Sequence, residues 1–383
     1  MRLLARMLGH AVAFVGLAAI AASVQAAELP RSTQKILQDL KFDASILDGI
    51  DEELAVPPEW LELARKEGQF TIAASEDEPD FRAYIAPFVE RYPFIKVNYQ
   101  QGTYGNRVTR PLLAFKQGRY LTDITTSFTG TVHLFNEVKA LASLSDIPNF
   151  YNVREEFRPD NAEWTGHDLR LWCMGYNPKK IKKEWLPTTW EGILDSKELR
   201  GDVVGINDRS MTWLAQLWNF WGPEKTTEFL EKFFTTVRPQ LRKEGVSALT
   251  QLTSLGEVPV AIPVADYRVF EFAGKGGDIA WHCPDPVPVS ISEIGLIRGS
   301  PHTHAAKIFI NWLLSREGQI AKYAVIMTPP VHKALPLEKF LVYPDEVAGK
   351  KLALVNANKA DEQNEELQKV WVPLWEKSMR ARK

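Results

Sequence analysis

The sequence predicts an α/β protein of two lobes, each a sheet wound with helices. Three observations carry this. From Pro57 onward short apolar runs alternate with stretches of helical periodicity, the pattern of parallel strands joined by helical crossovers. A second series of the same alternation begins near Leu169. The chain has 383 residues, 45% of them hydrophobic, which exceeds what one core usually serves and makes two domains the default.

Arg2 and Arg6 precede a largely apolar stretch from Leu8 to Ala22, and Val24 and Ala26 are small residues at positions minus three and minus one of a cleavage site. That is the order of a secretory signal, residues 1–26, with cleavage after Ala26. The run is shorter than the ~20 residues a membrane-spanning helix needs, and no Cys sits at the cleavage point to carry a lipid. The mature chain is therefore expected free in the periplasm. Residues 27–56 read as a polar helical extension with no assigned role.

Pro57 and Pro58 open a short helix carrying Trp60, Leu61 and Ala64, with Gly68 at its C-cap. A strand follows in Phe70 to Ala74. Phe81, Tyr84, Ile85, Phe88 and Val89 fall on one face of a helix that Asp80 opens and Pro93 closes. The next strand is Phe94 to Tyr99, a helix runs to about Gly118, and a third strand covers Thr122 to Ser127. This first lobe spans residues 57–170 and is completed by 290–335. The second spans 171–289, completed by 336–383, with strands at Leu171 to Tyr176, Asp202 to Ile206 and Val258 to Val264. The Pro-rich run from His282 to Pro288 reads as an inter-lobe connector. Ser290 to Ile297 alternates like a strand, and Ala305 to Leu314 is an apolar helix with Pro301 at its first turn.

A formal net charge of −2 gives no electrostatic footprint for nucleic acid, and the basic tail from Lys377 to Lys383 reads as a solvated helix end. Cys173 and Cys283 are an even count in an oxidising compartment; one disulfide and two buried thiols are both open, and the spacing is not that of a metal site. Gly-x-Ser-x-Gly, a phosphate loop, Gly-x-Gly-x-x-Gly after the first strand and His-Glu-x-x-His are all absent. The expectation is a non-enzyme with neither cofactor nor metal; an exported α/β hydrolase or transferase with an unfamiliar site is the alternative from another class.

Four stretches in order carry a resemblance. Pro187 to Leu194, continuing through Lys197, Leu199, Arg200 and Gly201, is similar to a "P-x-T-W-x-x-L…G" element, and Phe309 to Gln319 to an "F-x-x-F-L-L-S-x-E-G-Q" helix. Gly256, Glu257 and Val258 lead into a strand ending at Asp266 and Tyr267, and Leu121 to Ser127 resembles a "D-I-x-x-S" strand end. They resemble the type II periplasmic solute-binding proteins of ABC transporters, family 1, grouped with the ferric-ion and phosphosugar receptors. The resemblance implies a hinged two-lobe fold with a ligand cleft between the lobes, a small-molecule solute, transient docking to an inner-membrane permease, and a monomer. A sensor kinase or chemoreceptor as partner stays open.

In open α/β sheets ligands bind beyond the carboxyl ends of strands, at loops leading into helix N-termini. This selects Ser75, Glu76 and Asp77 after the first strand, with Glu78 beside them; Thr103 and Tyr104 after the second; and Ser127, Thr129 and Gly130 after the third. In the second lobe it selects Asn207, Arg209 and Ser210, the run extending to Thr212, and then Asp266, Tyr267 and Arg268. Hydroxyls, helix ends and guanidinium groups suit phosphate or carboxylate, whereas the acidic run suits a cation or sugar hydroxyls, or a helix N-terminus. A small anionic organic solute is the favoured reading. Ferric receptors of the resembled family place two adjacent Tyr where this chain has Tyr267 and Arg268. A guanidinium there removes an anionic ligand and adds repulsion, so ferric ion stands as the alternative solute. His302 and His304 are expected to be exposed at a helix start.

Overall fold

The computed structural model describes residues 28–102, 105–127, 131–208, 210–354 and 356–381. The signal sequence lies outside them. Ten strands form one continuous hydrogen-bonded path: β1 Gln69–Ala74, β2 Lys96–Gln101, β3 Ile124–Thr126, β4 Thr165–Tyr176, β5 Val204–Asn207, β6 Gln240–Arg242, β7 Val260–Ala265, β8 Ala280–His282, β9 Val287–Leu296 and β10 Leu352–Leu354. Their order is β2-β1-β3-β9-β4-β7-β5-β6, with β10 on β9 and β8 on β4.

Register explains why this makes two lobes. β1 pairs in parallel with β2 and β3, and β5 in parallel with β6 and β7, as helical crossovers require. Between these sets run β4 and β9. The first half of β4, Thr165 to Leu171, pairs antiparallel with β9; the second half, from Trp172 to Tyr176, pairs with β7. One unbroken strand therefore serves both sheets. The sequence reading starts this strand at Leu171; the first half, with Thr165, His167 and Asp168, is hidden from it, because these polar side chains give no apolar alternation although all three are buried. The Pro-rich run does not act as a free connector either, since β8 and β9 take up both of its ends. The covalent link Cys173–Cys283 is formed, across a sequence separation of 110.

Each lobe has its own aromatic core. Phe70 of β1 stacks on Phe309 with ring centroids 4.9 Å apart, and Phe88 meets Phe309 at 5.1 Å and Trp312 at 5.5 Å. In the other lobe Trp190 and Trp213 lie 4.9 Å apart, both fully buried. Gly68 adopts φ 66° and returns its N–H to Ala64, ending the helix Pro58–Glu67 as expected.

The extension before Pro57 is tied into the first lobe by a hydrogen bond from Thr33 to Glu317, which Arg91 also holds, and by the ion pairs Arg91–Asp51 and Arg316–Glu53. Thr33 Oγ1 donates to Glu317 Oε1 at 2.7 Å, Arg91 Nε to Glu317 Oε2 at 2.6 Å, and Arg316 Nε to Glu53 Oε2 at 2.6 Å. His302 and His304 are only partly exposed: their Nδ1 atoms approach Asp123 and Glu67 at 3.1 and 2.8 Å, so each is held at the helix start rather than left in solvent. Among the described residues no helix is long and apolar enough to cross a membrane.

Candidate ligand-binding site

Between the lobes lies a cavity of about 820 Å³, within the size range of small-molecule sites, about 300–1,000 Å³. Ser75, Glu76 and Asp77 line it beyond β1, Ser127 beyond β3, and Tyr267 and Arg268 on the helix Asp266–Gly274 that follows β7. These six are residues that the strand-end rule selected. Thr103, Tyr104, Thr129, Gly130 and Arg209 lie outside the described residues.

Three further selected residues do not reach the cavity. Asn207 and Ser210 are fully buried, and Ser210 Oγ donates to the Asn207 carbonyl at 2.8 Å, spending its hydroxyl on the turn. Asp266 is 1% exposed. Burial pushes its carboxyl up to about 7, partly offset by nearby backbone N–H groups of Tyr267 and Leu171 and by Arg170. The rule picks strand ends correctly but cannot tell which of two successive side chains turns inward.

Behind the lining residues Glu76 and Arg170 is a buried charge cluster that the sequence reading did not find. Lys322, whose side chain is 1% exposed, places Nζ 2.5 Å from Asp168 and 3.3 Å from Glu76, and 2.8 Å from His167 Nδ1. Arg170 Nε lies 3.4 Å from Asp168, and its guanidinium faces the Tyr267 ring, 5.6 Å from the centroid. Burial disfavours the Glu76 carboxylate, but the Lys322 ammonium, helped by Arg170 and His167, overcomes it and holds this carboxyl at about 2. Asp168 is held well below the usual carboxylate range in the same way. Burial, reinforced by Lys322, lowers His167 to about 3, so the imidazole is neutral. Glu76 is thus spent within the protein. Its acidic neighbours are engaged too: Asp77 Oδ1 accepts from Gln101 Nε2 at 2.8 Å, and Glu78 pairs with Arg82 at 3.1 Å.

Arg107 also lines the cavity. It stands on a π-helical turn, Gly105–Thr109, a local irregularity common at functional sites. Its Nε donates to the Gly102 carbonyl at 3.0 Å and its Nη1 to the carbonyls of Thr126 and Ser127 at 3.0 and 2.5 Å. These bonds hold the ends of β2 and β3 together, and Ser127 is kept at φ 52°, a conformation costly for a residue with a Cβ. Its N–H is fixed by the Glu293 carbonyl at 2.8 Å, while its Oγ is buried without a hydrogen-bond partner. All three acceptors of Arg107 are neutral carbonyls. Arg268, by contrast, has its charge engaged by Glu271 at 2.6 Å on its own helix.

The side chains lining the cavity carry four cations, Arg107, Arg170, Arg268 and Lys275, and four carboxylates, Glu76, Asp77, Asp80 and Glu271, but Glu76 is paired from behind by Lys322 and Glu271 is shared by Arg268 and Lys275. The guanidinium groups of Arg107, bonded to neutral carbonyls, and of Arg170 face the same space, which is chemistry for an anion. Among the described residues no group of three or more His, Cys, Asp or Glu side chains is placed to hold a metal ion. No signal in the sequence marked Arg107, Asp168, Arg170 or Lys322, because they come from three separate segments that only the fold brings together.

Among solved structures, iron-bound HitA from Pseudomonas aeruginosa is similar, at 20% identity, a TM-score of 0.65 and coverage of 80% of this chain and 99% of that one. AfuA from Actinobacillus pleuropneumoniae, with exogenous fructose-6-phosphate bound, is similar at 16% identity and a TM-score of 0.65, covering 81% and 99%. These likenesses show the fold, two-lobed and of the type II periplasmic binding class. An uncharacterized protein of Haemophilus influenzae is 24% identical over 180 residues, 44% of this chain; the chain spans about half of that protein's length, 51%. The sequence profile described as Bacterial extracellular solute-binding protein matches residues 74–320, more than half of the chain, and the chain belongs to that family.

Proposed function

We propose that the protein is the soluble periplasmic receptor of an ABC importer, that it captures a small anionic organic solute in the inter-lobe cavity, and that it catalyses no reaction. The observation that carries the solute class is that the guanidinium groups of Arg107, bonded to neutral carbonyls, and of Arg170 both line the cavity. Ser75 and Ser127 from one lobe and Tyr267 from the other would complete the shell; Thr103, Tyr104, Thr129, Gly130 and Arg209 stay candidates on the strand-end rule alone. Asn207, Ser210 and Asp266 act in this reading as buried supports of the loops.

The mechanism follows from β4, the strand shared by both sheets, and from β9 beside it. They form the hinge, and a solute that touches both lobes binds the closed arrangement better and shifts the population toward it. The closed monomer would then dock transiently on the membrane permease. HitA is a protein solved with iron, and Tyr267 matches one of the two Tyr expected in a ferric receptor, but the guanidinium groups of Arg107 and Arg170 in the cavity wall oppose a trivalent cation.

A thermal-shift panel of fructose 6-phosphate, inorganic phosphate, citrate, putrescine and ferric ion with and without citrate tests this. A ligand at a hundred times its Kd adds about 2.7 kcal/mol. We expect a shift with one of the anions and its loss in Arg170→Met. A shift with ferric ion alone would overturn the anion reading, and no shift with any probe would return weight to a hydrolase or transferase.

A further inference from the structure

The C-terminal helix Ala360–Arg380 lies beyond the residues matched by the family profile. With the helix Met211–Trp221 and β9 it encloses a second cavity, of about 570 Å³. Asn364, Gln368, Trp371 and Trp375 line it from the C-terminal helix; their spacings of four, three and four residues make a single stripe. The two indoles are 5.5 Å apart with planes inclined by 33°, and Trp371 is braced by Phe234 at 5.4 Å. Opposite them, Thr212 and Gln216 stand one turn apart. Gln216 is 3% exposed, and its Oε1, like Thr212 Oγ1, has no hydrogen-bond partner in the protein.

The charge pattern here differs from that of the inter-lobe cavity. Among the described residues that line the cavity there is no Lys or Arg. Asp208 and Glu293 also line it, but both already have partners in the fold, leaving the exposed Glu376 as a lone carboxylate. One solvated carboxylate gives little hold on a cation. What is left is carboxamide and hydroxyl groups, which both donate and accept, beside two indole faces that take apolar C–H surface.

We propose that this cavity is a second ligand site, for an uncharged, hydroxyl-rich molecule of saccharide type. Hydroxyl groups satisfy the idle oxygens of Gln216 and Thr212 after a small side-chain rotation, and the ring face lies against Trp371 and Trp375. Thr212 lines the inter-lobe cavity as well, so the two sites adjoin, but the second is independent of the anion reading.

The test is isothermal titration of the whole mature chain with D-glucose, myo-inositol and maltose, with choline as the cation control. Saturable binding of at least one of the three is expected, weakened tenfold or more in Trp375→Leu and in Gln216→Leu and unchanged in Arg170→Met. Should either core variant lose its native circular dichroism, Gln368→Ala, on an exposed position, replaces it. The proposal falls if none of the three polyols binds, if binding is indifferent to all three substitutions, if it disappears in Arg170→Met, or if choline is the only binder.

Discussion

Lys322→Met removes the one ammonium that two buried carboxylates share. In the native protein Nζ sits 2.5 Å from Asp168 and 3.3 Å from Glu76 with the side chain 1% exposed, so no solvent replaces it. Holding Glu76 at about 2 rather than 4.5 corresponds to about 3 kcal/mol of interaction favouring the charged form, at 1.36 kcal/mol per pH unit. That figure is a net of burial and of the Lys322, Arg170 and His167 charges; the loss of Lys322 alone is set by the general cost of breaking a buried pair from one side, about 3–5 kcal/mol. The expected result at pH 7 is a loss of about 3–5 kcal/mol in urea-induced unfolding, with the slope against denaturant unchanged. The sign of the pH dependence gives a second check. Wild-type stability from Glu76 is present above pH 4.5 and is lost as pH falls toward 2. In the variant burial is no longer offset by Lys322, the carboxyls rise and take up protons at higher pH, and the folded form is relieved as pH falls. The gap between the two proteins therefore narrows from pH 7 to pH 4.5. A loss under about 1 kcal/mol, or a gap that widens on acidification, would refute the charge accounting on which the anion site rests.

Three other outcomes follow from the same geometry. Tyr267→Ala and Ser127→Ala should each weaken binding of whichever anion shifts the thermal profile by one to two decades, since a hydrogen bond to a charged group is worth about 1.5–3 kcal/mol, and should leave the melting temperature of the unliganded protein nearly unchanged; unfolding instead would make that residue part of the core. Asp266, raised to about 7 from 3.8 by burial, binds its proton more tightly folded than unfolded, so its contribution is present below pH 4 and is lost as pH climbs through 7, on the order of 4 kcal/mol. Asp266→Asn should flatten the stability profile between pH 5 and 8 and raise stability at pH 8, measured by urea unfolding across that range. Replacing Cys173 and Cys283 together by Ser opens a loop with a sequence separation of 110 and should cost roughly 4 to 5 kcal/mol, read as the drop in unfolding midpoint relative to the oxidised protein.

The two-lobed α/β architecture and the positions of most of its longer strands were legible in the sequence, because apolar periodicity is set residue by residue and needs no partner to be seen; the order of the strands in the sheet was not. Strand ends were legible for the same reason, which is why Ser75, Glu76, Asp77, Ser127, Tyr267 and Arg268 fall at one cavity. What only the tertiary structure decided is which charges meet. Whether Glu76 attracts a cation or is already neutralised depends on Lys322, 246 residues away along the chain, and Asp168 and Arg170 are brought in by the single strand that both sheets share. Coulombic interaction depends on separation in space and on exclusion of water, neither of which is written in a local sequence window, so Arg268 looked like the anion-binding guanidinium when its charge is in fact engaged by Glu271, while Arg107, on the π-helical turn Gly105–Thr109, bonds to neutral carbonyls.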